Sequence, residues 1–350
     1  MRIESSPPTS IRDLPYELIE QIFAYTSVDL TTATPSAFAD RATFLRELSL
    51  LARPFRYPAQ AVLWSSVRVH SPAAAKRLLA SPALGQFAVA SLDLVGVYAG
   101  VDGLSGTTAA RVLAKLRGVQ WLRLADFGRL SARVLQNESL AGLKHLELMS
   151  TFPDKPATLI ALSFPFHLRS LSLFNRSYPT AFLQRLFAVS AHSLRSLTLL
   201  TSASSPAYTA LVDVFPLVAP NLQHLSLQHR PSPALVAQLE LCTALQHLEC
   251  HFAVDLPSVL DALPSHTATL RHLSLELDYN LLEVASVLVA RLTDKEGALR
   301  ALERLSIPRA PDRTDWQEFG GEPLLEVCRE RGIRVEIGKA VAWRTRSLFD

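Results

Sequence analysis

Histidine occupies the same place in three copies of one short motif. The stretches 222–227 (LQHLSL), 245–250 (LQHLEC) and 270–275 (LRHLSL) carry His224, His247 and His272 at their third position. Glu249 lies within the second copy, and His251 directly follows it. Imidazole and carboxylate groups that converge on one point bind metal ions, whereas exposed imidazoles also serve as hydrogen-bonding groups for a partner protein.

The spacing of the three motifs decides between these two kinds of chemistry. On neighbouring strands the three imidazoles would stand roughly 5 Å apart in a flat column. Parallel side chains in such a column do not converge, so we expect no metal site. Two interpretations stay open: a polar exposed face that tolerates histidine, and a substrate-binding patch. The residues of the predicted patch are His224, His247, His272, Glu249 and His251.

The protonation state of the column follows from the same spacing. Like charges at this distance disfavour one another, so three adjacent imidazoles do not all become charged. We therefore expect them to be mostly neutral near pH 7 and available as donors and acceptors.

No recognised catalytic motif occurs in the sequence. It contains no phosphate-binding glycine loop, no G-x-S-x-G, no H-E-x-x-H and no C-x-x-C. Cys242, Cys250 and Cys328 have neither metal nor disulfide spacing, which indicates a reducing compartment. We expect a protein that is not an enzyme and that binds no cofactor.

Composition and charge narrow the class of protein. Of the 350 residues 49% are hydrophobic and 19% charged, and the net charge of +3 is spread along the chain. Without a block of Lys and Arg, we expect neither nucleic acid nor a membrane surface as partner. The first residues, MRIESSPPTSIRD, lack the apolar core of a signal peptide. The prediction is a soluble protein of the cytoplasm or nucleus.

The histidine motifs belong to a longer repeat with the pattern L-x-x-L-x-L. Its nine copies have their central leucines at 92, 122, 146, 171, 197, 225, 248, 273 and 305, at steps of 23–32 residues. The segment 332–337 (GIRVEI) reads as one more strand. Alternating leucines predict a short strand with one apolar face. The intervening segments 181–191, 257–266 and 281–292 are apolar at helical spacing.

Such strand–helix units bury their apolar faces only by stacking side by side. We therefore predict an α/β solenoid, a leucine-rich-repeat horseshoe with a parallel sheet over residues 71–340. The residues before and after each central leucine should face the open concave side. Leu225 and Leu248 should be buried, with Ser226 and Glu249 exposed. Along the same face, Trp121, Arg123 and Glu147 precede an uncharged floor formed by Ser170, Ser172, Ser196 and Thr198.

Residues 11–70 do not follow the repeat and predict a small three-helix module. A first helix over IRDLPYELIEQIFAYTS carries one apolar stripe, and a polar loop is expected over 27–41. A second helix over TFLRELSLLARPF should end or kink at Pro54. The third, PAQAVLWSSVRVH, should run into a strand. We expect a disordered N-terminus over 1–10. The tail 341–350 either packs over the last repeat, which we favour as far as Trp343, or is disordered.

The order of residues in this module resembles an F-box, with its Leu-Pro start, an Ile-Phe pair eight residues on and a Leu-Trp close. An F-box followed by leucine-rich repeats is the arrangement of F-box/leucine-rich-repeat proteins, particularly fungal ones. The sequence departs from the usual pattern in its longer loop over 27–41. It also has Arg53-Pro54-Phe55 where Cys-Arg-x-Trp is more usual.

The resemblance implies a substrate-recognition subunit of a Skp–cullin–F-box ubiquitin ligase. Its helices would dock a Skp-type adaptor, and through it a cullin, while the repeats hold an unknown protein substrate. The adaptor-binding residues implied are Leu14, Pro15, Leu18, Ile22, Phe23, Phe55, Leu63 and Trp64. Two alternatives stay open. The module could merely cap the open end of the horseshoe, and the chain could be an interaction scaffold with no ligase link.

Overall fold

A computed structural model describes most of the chain from Pro35 onward. The described residues are 35–51, 53–97, 103–174, 178–200, 206–251, 254–264, 269–276, 281–294, 296–307 and 321–337. The expected N-terminus 1–10, the first predicted helix and the tail 341–350 lie outside these residues.

The described residues form one open sheet of eleven parallel strands in which every strand pairs with its neighbour in sequence order. The strands are β1 Ser66–Val69, β2 Ser91–Val95, β3 Trp121–Ala125, β4 His145–Met149, β5 Ser170–Phe174, β6 Ser196–Leu200, β7 His224–Leu227, β8 His247–His251, β9 His272–Glu276, β10 Arg304–Ile307 and β11 Arg334–Ile337. With its helices, this sheet is consistent with an α/β solenoid-like horseshoe.

The ten strands predicted from the repeat are present, and so is the strand expected at the end of the third predicted helix. β1 pairs with β2 through Val67↔Leu92 and Val69↔Leu94. Its sequence, Ser-Val-Arg-Val, has valines where the other copies have leucines, so the leucine pattern did not include it. The sheet therefore begins inside the segment predicted as the helical module.

The register keeps the leucines of successive strands level with one another. Leu225 pairs with Leu197 on one side and Leu248 on the other, and both Leu225 and Leu248 are buried, as predicted. Cys250 takes a leucine position, pairing with Leu227 and Leu275, and is also fully buried. The two apolar rows form one continuous core with the helices, because each repeat covers the leucines of the next.

Helices or 3₁₀ turns connect most of the strands. The α-helices are α1 Pro35–Leu51, α2 Arg53–Ser65, α3 Pro72–Ala80, α4 Gly106–Leu113, α5 Pro156–Ile160, α6 Thr180–Ser190, α7 Pro206–Val214, α8 Pro233–Ala237, α9 Leu256–Ala262, α10 Leu281–Thr293 and α11 Glu322–Glu330. The 3₁₀ helices are Ala132–Gln136, Glu138–Leu140, Phe215–Leu217, Ala219–Asn221 and Gln238–Leu241.

The helices predicted between strands are confirmed, with small differences at their ends. α6 and α10 match the predicted segments within one residue. α9 stops at Ala262, two residues before Pro264, because the residue that precedes a proline avoids the helical conformation. None of the helices in the described residues has both the length and the apolar character that a membrane crossing requires.

The helical module differs from the prediction at one boundary. Residues 35–41, expected in a loop, are helical, because α1 begins at Pro35, a residue well suited to a first helical turn. α1 ends at Leu51, and Pro54 is the second residue of α2, in agreement with the expected break. α2 then leads directly into β1, as predicted.

Candidate functional site

Two rows of mostly polar residues cross the face of the sheet opposite the leucines, which we call the polar face. The first polar row, level across the strands, is Ser66, Ser91, Trp121, His145, Ser170, Ser196, His224, His247, His272, Arg304 and Arg334. The second polar row is Arg68, Asp93, Arg123, Glu147, Ser172, Thr198, Ser226, Glu249, Ser274, Ser306 and Glu336. Alternation along each strand places both rows on one face.

A groove of about 380 Å³ runs along the middle of the polar face. It extends from Trp121 on β3 to His247 and Glu249 on β8. The groove therefore brings together the predicted residues His224, His247 and Glu249 with the uncharged floor between the two ends. His272 lies on the next strand and is not among its lining residues.

The floor of the groove consists of hydroxyl groups that are free to bind a ligand. The side chains are half-buried and make no hydrogen bond within the described part of the chain. They are Ser170, Ser172, Ser196 and Thr198. A hydroxyl group both donates and accepts hydrogen bonds, so this floor suits a polar segment of a partner.

One end of the polar face carries a chain of alternating charges, which we call the charge ladder: Arg68, Asp93, Arg123 and Glu147. Arg68 Nε lies 2.9 Å from Asp93 Oδ2, and Arg123 Nη1 lies 3.7 Å from the same oxygen. Arg123 Nε lies 3.6 Å from Glu147 Oε2. The ladder thus links four strands, β1 to β4.

Asp93 is the buried member of the ladder, with 3% of its surface exposed. Burial raises the pKa of the Asp93 carboxyl, although Arg123 and Arg68 both oppose that shift. Its Oδ1 atom has no hydrogen-bond partner among the described residues. The desolvation of this carboxylate is therefore only partly offset by the two guanidinium groups.

The other end carries the three predicted histidines, which we call the histidine column. The ring centroids of His224 and His247 are 5.1 Å apart, and those of His247 and His272 are 4.1 Å apart. Burial lowers the pKa of His247 to about 4, with a further contribution from the charges of His272, His224 and Arg304. Burial is also the largest cause that lowers the pKa of His224 and of His272. These directions agree with the expected neutral imidazoles.

The Ser306 hydroxyl lies between the column and a carboxylate. Ser306 Oγ is 2.7 Å from His272 Nε2 and 3.5 Å from Glu336 Oε2. His247 Nε2 is buried and has no hydrogen-bond partner in the described residues.

The described residues contain no group of three or more His, Cys, Asp or Glu side chains that could hold a metal ion. In the column the His247 and His272 rings lie with their planes 31° apart.

Two residues of the face are less accessible than expected. Ser226, expected to be exposed, is only 7% exposed, so that prediction was wrong. Gln228 is also buried, and its Nε2 donates to Ser226 Oγ at 3.1 Å. The Gln228 side chain therefore lies against the serine hydroxyl. His251, a predicted patch residue, is buried too, while Glu249 is half-buried and lines the groove.

The adaptor-binding residues implied by the resemblance fall into two groups. Leu14, Pro15, Leu18, Ile22 and Phe23 lie outside the described residues. Phe55 is buried with Leu45 and Ala59 in a small separate core, against which Leu63 packs. Trp64 stacks on Phe87, with ring centroids 6.5 Å apart, and packs against the sheet core.

Phe55, which is buried, holds the module together, and Trp64, which is half-buried, attaches it to the sheet. Little surface of Phe55 remains for a partner in this conformation. Among the described residues of the module, the large apolar side chains that are exposed are Phe44, Leu50 and Tyr57. The sequence analysis did not predict these three exposed residues. A signal for Leu50 was present, because it lies outside the three-residue spacing of Leu45, Leu48 and Leu51 and therefore on another side of the helix.

The sequence reasoning also missed Arg68, Asp93, Ser306 and Glu336 on the polar face. A signal for Asp93 and Ser306 was present, since each follows a central leucine of the repeat. Reading that one position across all copies gives Asp93, Arg123 and Glu147 in succession, which predicts paired charges on neighbouring strands.

Comparison with known proteins yields no relative of this chain: no model of a protein family matches it, and no curated protein has a significantly similar sequence.

Proposed function

We propose that this chain is the substrate-recognition subunit of a Skp–cullin–F-box ubiquitin ligase. In this proposal the N-terminal helices are an F-box that docks a Skp-type adaptor, and the strands and helices are leucine-rich repeats that bind a protein substrate. The observation that carries the proposal is the polar groove on an open parallel sheet that has a helical module at its first strand. The chain would act by proximity, with ubiquitin transferred by other subunits.

The groove supports the substrate-binding half of the proposal. Solenoids bind partners on the extended surface that their strands create. Here that surface combines unpartnered hydroxyls, neutral imidazoles and the ring of Trp121. These groups form hydrogen bonds and apolar contacts without the cost of displacing an existing partner.

The surface of the helical module supports the adaptor-binding half. Leu50 is 84% exposed, Tyr57 59% and Phe44 46%. Large apolar side chains grouped on one small module mark a protein-interaction surface. The F-box-like order of residues from Leu14 to Trp64 gives the chemical identity of the expected partner, a Skp-type adaptor.

The test is a pull-down of the full-length chain with a purified Skp-type adaptor. We expect stoichiometric binding by the wild type and its loss in the double variant Leu14→Ala, Pro15→Ala. Leu217→Ala removes an exposed leucine far along the chain and should bind normally. Equal adaptor binding by the double variant would show that the F-box interpretation is wrong.

Substrate binding is tested separately with the triple variant His224→Ser, His247→Ser, His272→Ser. Capture of substrate should be lost while the melting temperature stays unchanged. Unchanged substrate capture would support the other interpretation, in which the column is a polar surface that tolerates histidine. A lowered melting temperature alone would show that the histidines stabilise the fold.

A second candidate is an interaction scaffold with no ligase link, in which the module only caps the sheet. The stacking of Trp64 on Phe87 favours this candidate, because it places the module against the first strands. A wild-type chain that never binds the adaptor would support it.

A further inference from the structure

A second cavity lies among the connecting segments, away from the polar face. It has a volume of about 620 Å³ and is bounded by the start of α4 and by the segment that follows β3. Its lining residues are Ser105, Gly106, Thr107, Ala110, Arg129, Ser131, Arg133, Val134, Gln136 and Asn137. Neither the repeat pattern nor the proposed function assigns a role to this cavity.

Two arginines give the cavity its charge. Arg129 and Arg133 are both exposed, and neither has an ion-pair partner in the part of the chain that the structure describes. None of the ten lining residues is acidic. Two guanidinium groups on one concavity without counter-charges repel one another, and an anion between them removes that repulsion.

The carboxylates near the cavity form no ion pair with the two arginines within the described residues. Asp154 accepts hydrogen bonds from Ser131 Oγ at 2.8 Å and from the Ala132 amide at 2.7 Å, so both of its oxygens are engaged. Glu138 is exposed and follows the last lining residue, Asn137. Neither forms an ion pair with Arg129 or Arg133 among the described residues.

The remaining polar groups are rich in donors. Asn137 Oδ1 accepts from the Ser139 amide at 3.0 Å, which leaves the Asn137 side-chain NH₂ as a donor. Gln136 makes no side-chain hydrogen bond within the described residues. Ser105 Oγ accepts from the Thr108 amide at 3.2 Å and lies within hydrogen-bond distance of the Thr107 and Thr108 hydroxyls, so its own capacity is used, whereas Thr107 retains further capacity.

The walls of the cavity are held in place by the fold. Ser139 Oγ donates to the Leu113 carbonyl at 2.9 Å and ties the 3₁₀ segment to the end of α4. A Cβ atom at position 106 would lie 3.1 Å from the Arg129 carbonyl oxygen, so Gly106 permits the close approach of the two walls. A preformed site requires little ordering of its side chains when a ligand binds.

We propose that this cavity binds a small molecule that carries a phosphate monoester, with Arg129 and Arg133 as its phosphate ligands. The planar guanidinium groups match the oxygens of a phosphate in paired hydrogen bonds. The volume fits a ligand of nucleotide size, and Ala110 and Val134 provide apolar contact for its uncharged part. The site is independent of adaptor and substrate binding.

The experiment is isothermal titration of the full-length chain with adenosine 5′-monophosphate, with adenosine as the matched probe that lacks the phosphate. We expect wild type to bind the monophosphate at least tenfold more tightly than adenosine. The double variant Arg129→Gln, Arg133→Gln should lose at least tenfold in affinity. Arg111→Gln, which changes an exposed arginine of α4 outside the lining, should bind like wild type.

Chemical denaturation of each variant checks that the fold is intact, since all three arginines are exposed. Equal affinities for adenosine and its monophosphate would overturn the proposal, and so would wild-type affinity in a folded double variant. A phosphoserine peptide that binds at least tenfold more tightly than the monophosphate would overturn the assignment to a small molecule. Loss of adaptor binding in the double variant would contradict the independence of the two sites.

Discussion

The charge ladder lies in the second polar row and the histidine column in the first, at opposite ends of one polar face, and the two regions bury polar side chains in different ways. The ladder places a carboxylate, Asp93, almost fully out of solvent and surrounds it with Arg68 and Arg123. The column places imidazoles beside one another, with successive ring centroids 5.1 and 4.1 Å apart. It stays uncharged because burial lowers the pKa of each ring.

The difference shows what the repeat fixes and what it leaves open. The leucines below both regions are buried in identical rows, so packing determines them. The polar rows face away from that core. Their side chains interact with the side chains opposite them on neighbouring strands, and these interactions determine which residue types fit there. One end can thus hold ion pairs and the other a binding surface on the same backbone.

The largest expected effect is one that the two regions share. Leu122→Ala below the ladder and Leu225→Ala below the column should each cost about 2–5 kcal/mol, because both leucines are fully buried. Urea denaturation of each variant gives the free energy of unfolding. A cost of less than about 1 kcal/mol for either variant, typical of a surface change, would show that this leucine does not belong to the shared core.

The next effect belongs to the ladder alone. Asp93→Ala should cost about 2–4 kcal/mol, because it leaves Arg68 and Arg123 side by side without their common acceptor. Glu303→Ala is the control, since its ion pair with Arg271 is mostly exposed and should contribute under about 1 kcal/mol. Equal losses of unfolding free energy in the two variants, measured by urea denaturation, would show that the buried ion pairs of the ladder contribute no more stability than an exposed pair.

Replacement of Asp93 by Asn separates charge from hydrogen bonding. Burial raises the pKa of Asp93 despite both arginines, so the negative charge itself contributes little net stability. Asp93→Asn keeps an acceptor oxygen and should therefore cost less than Asp93→Ala in the same denaturation experiment. An Asn variant as unstable as the Ala variant would assign the whole effect to charge.

Lowering the pH should reduce the stability of the folded chain through the histidine column and not through Asp93 of the charge ladder. The folded pKa of His247 is about 4, below its usual value of 6.5, so the folded chain binds fewer protons than the unfolded chain between these values. The stability contribution is complete above pH 6.5 and is lost as the pH falls toward 4, on the order of 1–2 kcal/mol after screening by solvent. The raised pKa of Asp93 acts in the opposite direction, because its protonation favours the folded state.

The measurement is the free energy of unfolding of wild type and His247→Gln at several pH values from 7 down to 4. The variant should lose less stability over this range than wild type. Parallel curves for the two proteins would show that His247 is not the group responsible.

The smallest effects separate two hydroxyls of the second polar row. Ser226→Ala should cost about 1 kcal/mol, because it leaves the buried Gln228 Nε2 without its acceptor. Ser172→Ala should change stability by less than about 0.5 kcal/mol, since that hydroxyl is half-buried and has no protein partner to lose. A larger loss for Ser172 than for Ser226, measured by thermal denaturation, would reverse the assigned environments.

The sequence alone determined the strands, because alternation of leucines and their recurrence at 23–32 residues depend only on local pattern. It also predicted the level placement of His224, His247 and His272, since the motif positions are equivalent. It predicted the β1 strand but not that this strand continues the repeat, because Val67 and Val69 replace the leucines. It failed at residues 35–41, which were expected in a loop and are helical.

Only the tertiary structure decided how the polar residues meet. Arg68 and Asp93 are 25 positions apart in the chain, and nothing between them reports that the guanidinium covers the carboxylate. The burial of Ser226 depends on Gln228, two residues further on, turning back over the same strand. Side-chain pairing on a sheet is a property of register and neighbours, whereas the leucine core follows from a period that each repeat carries in its own sequence.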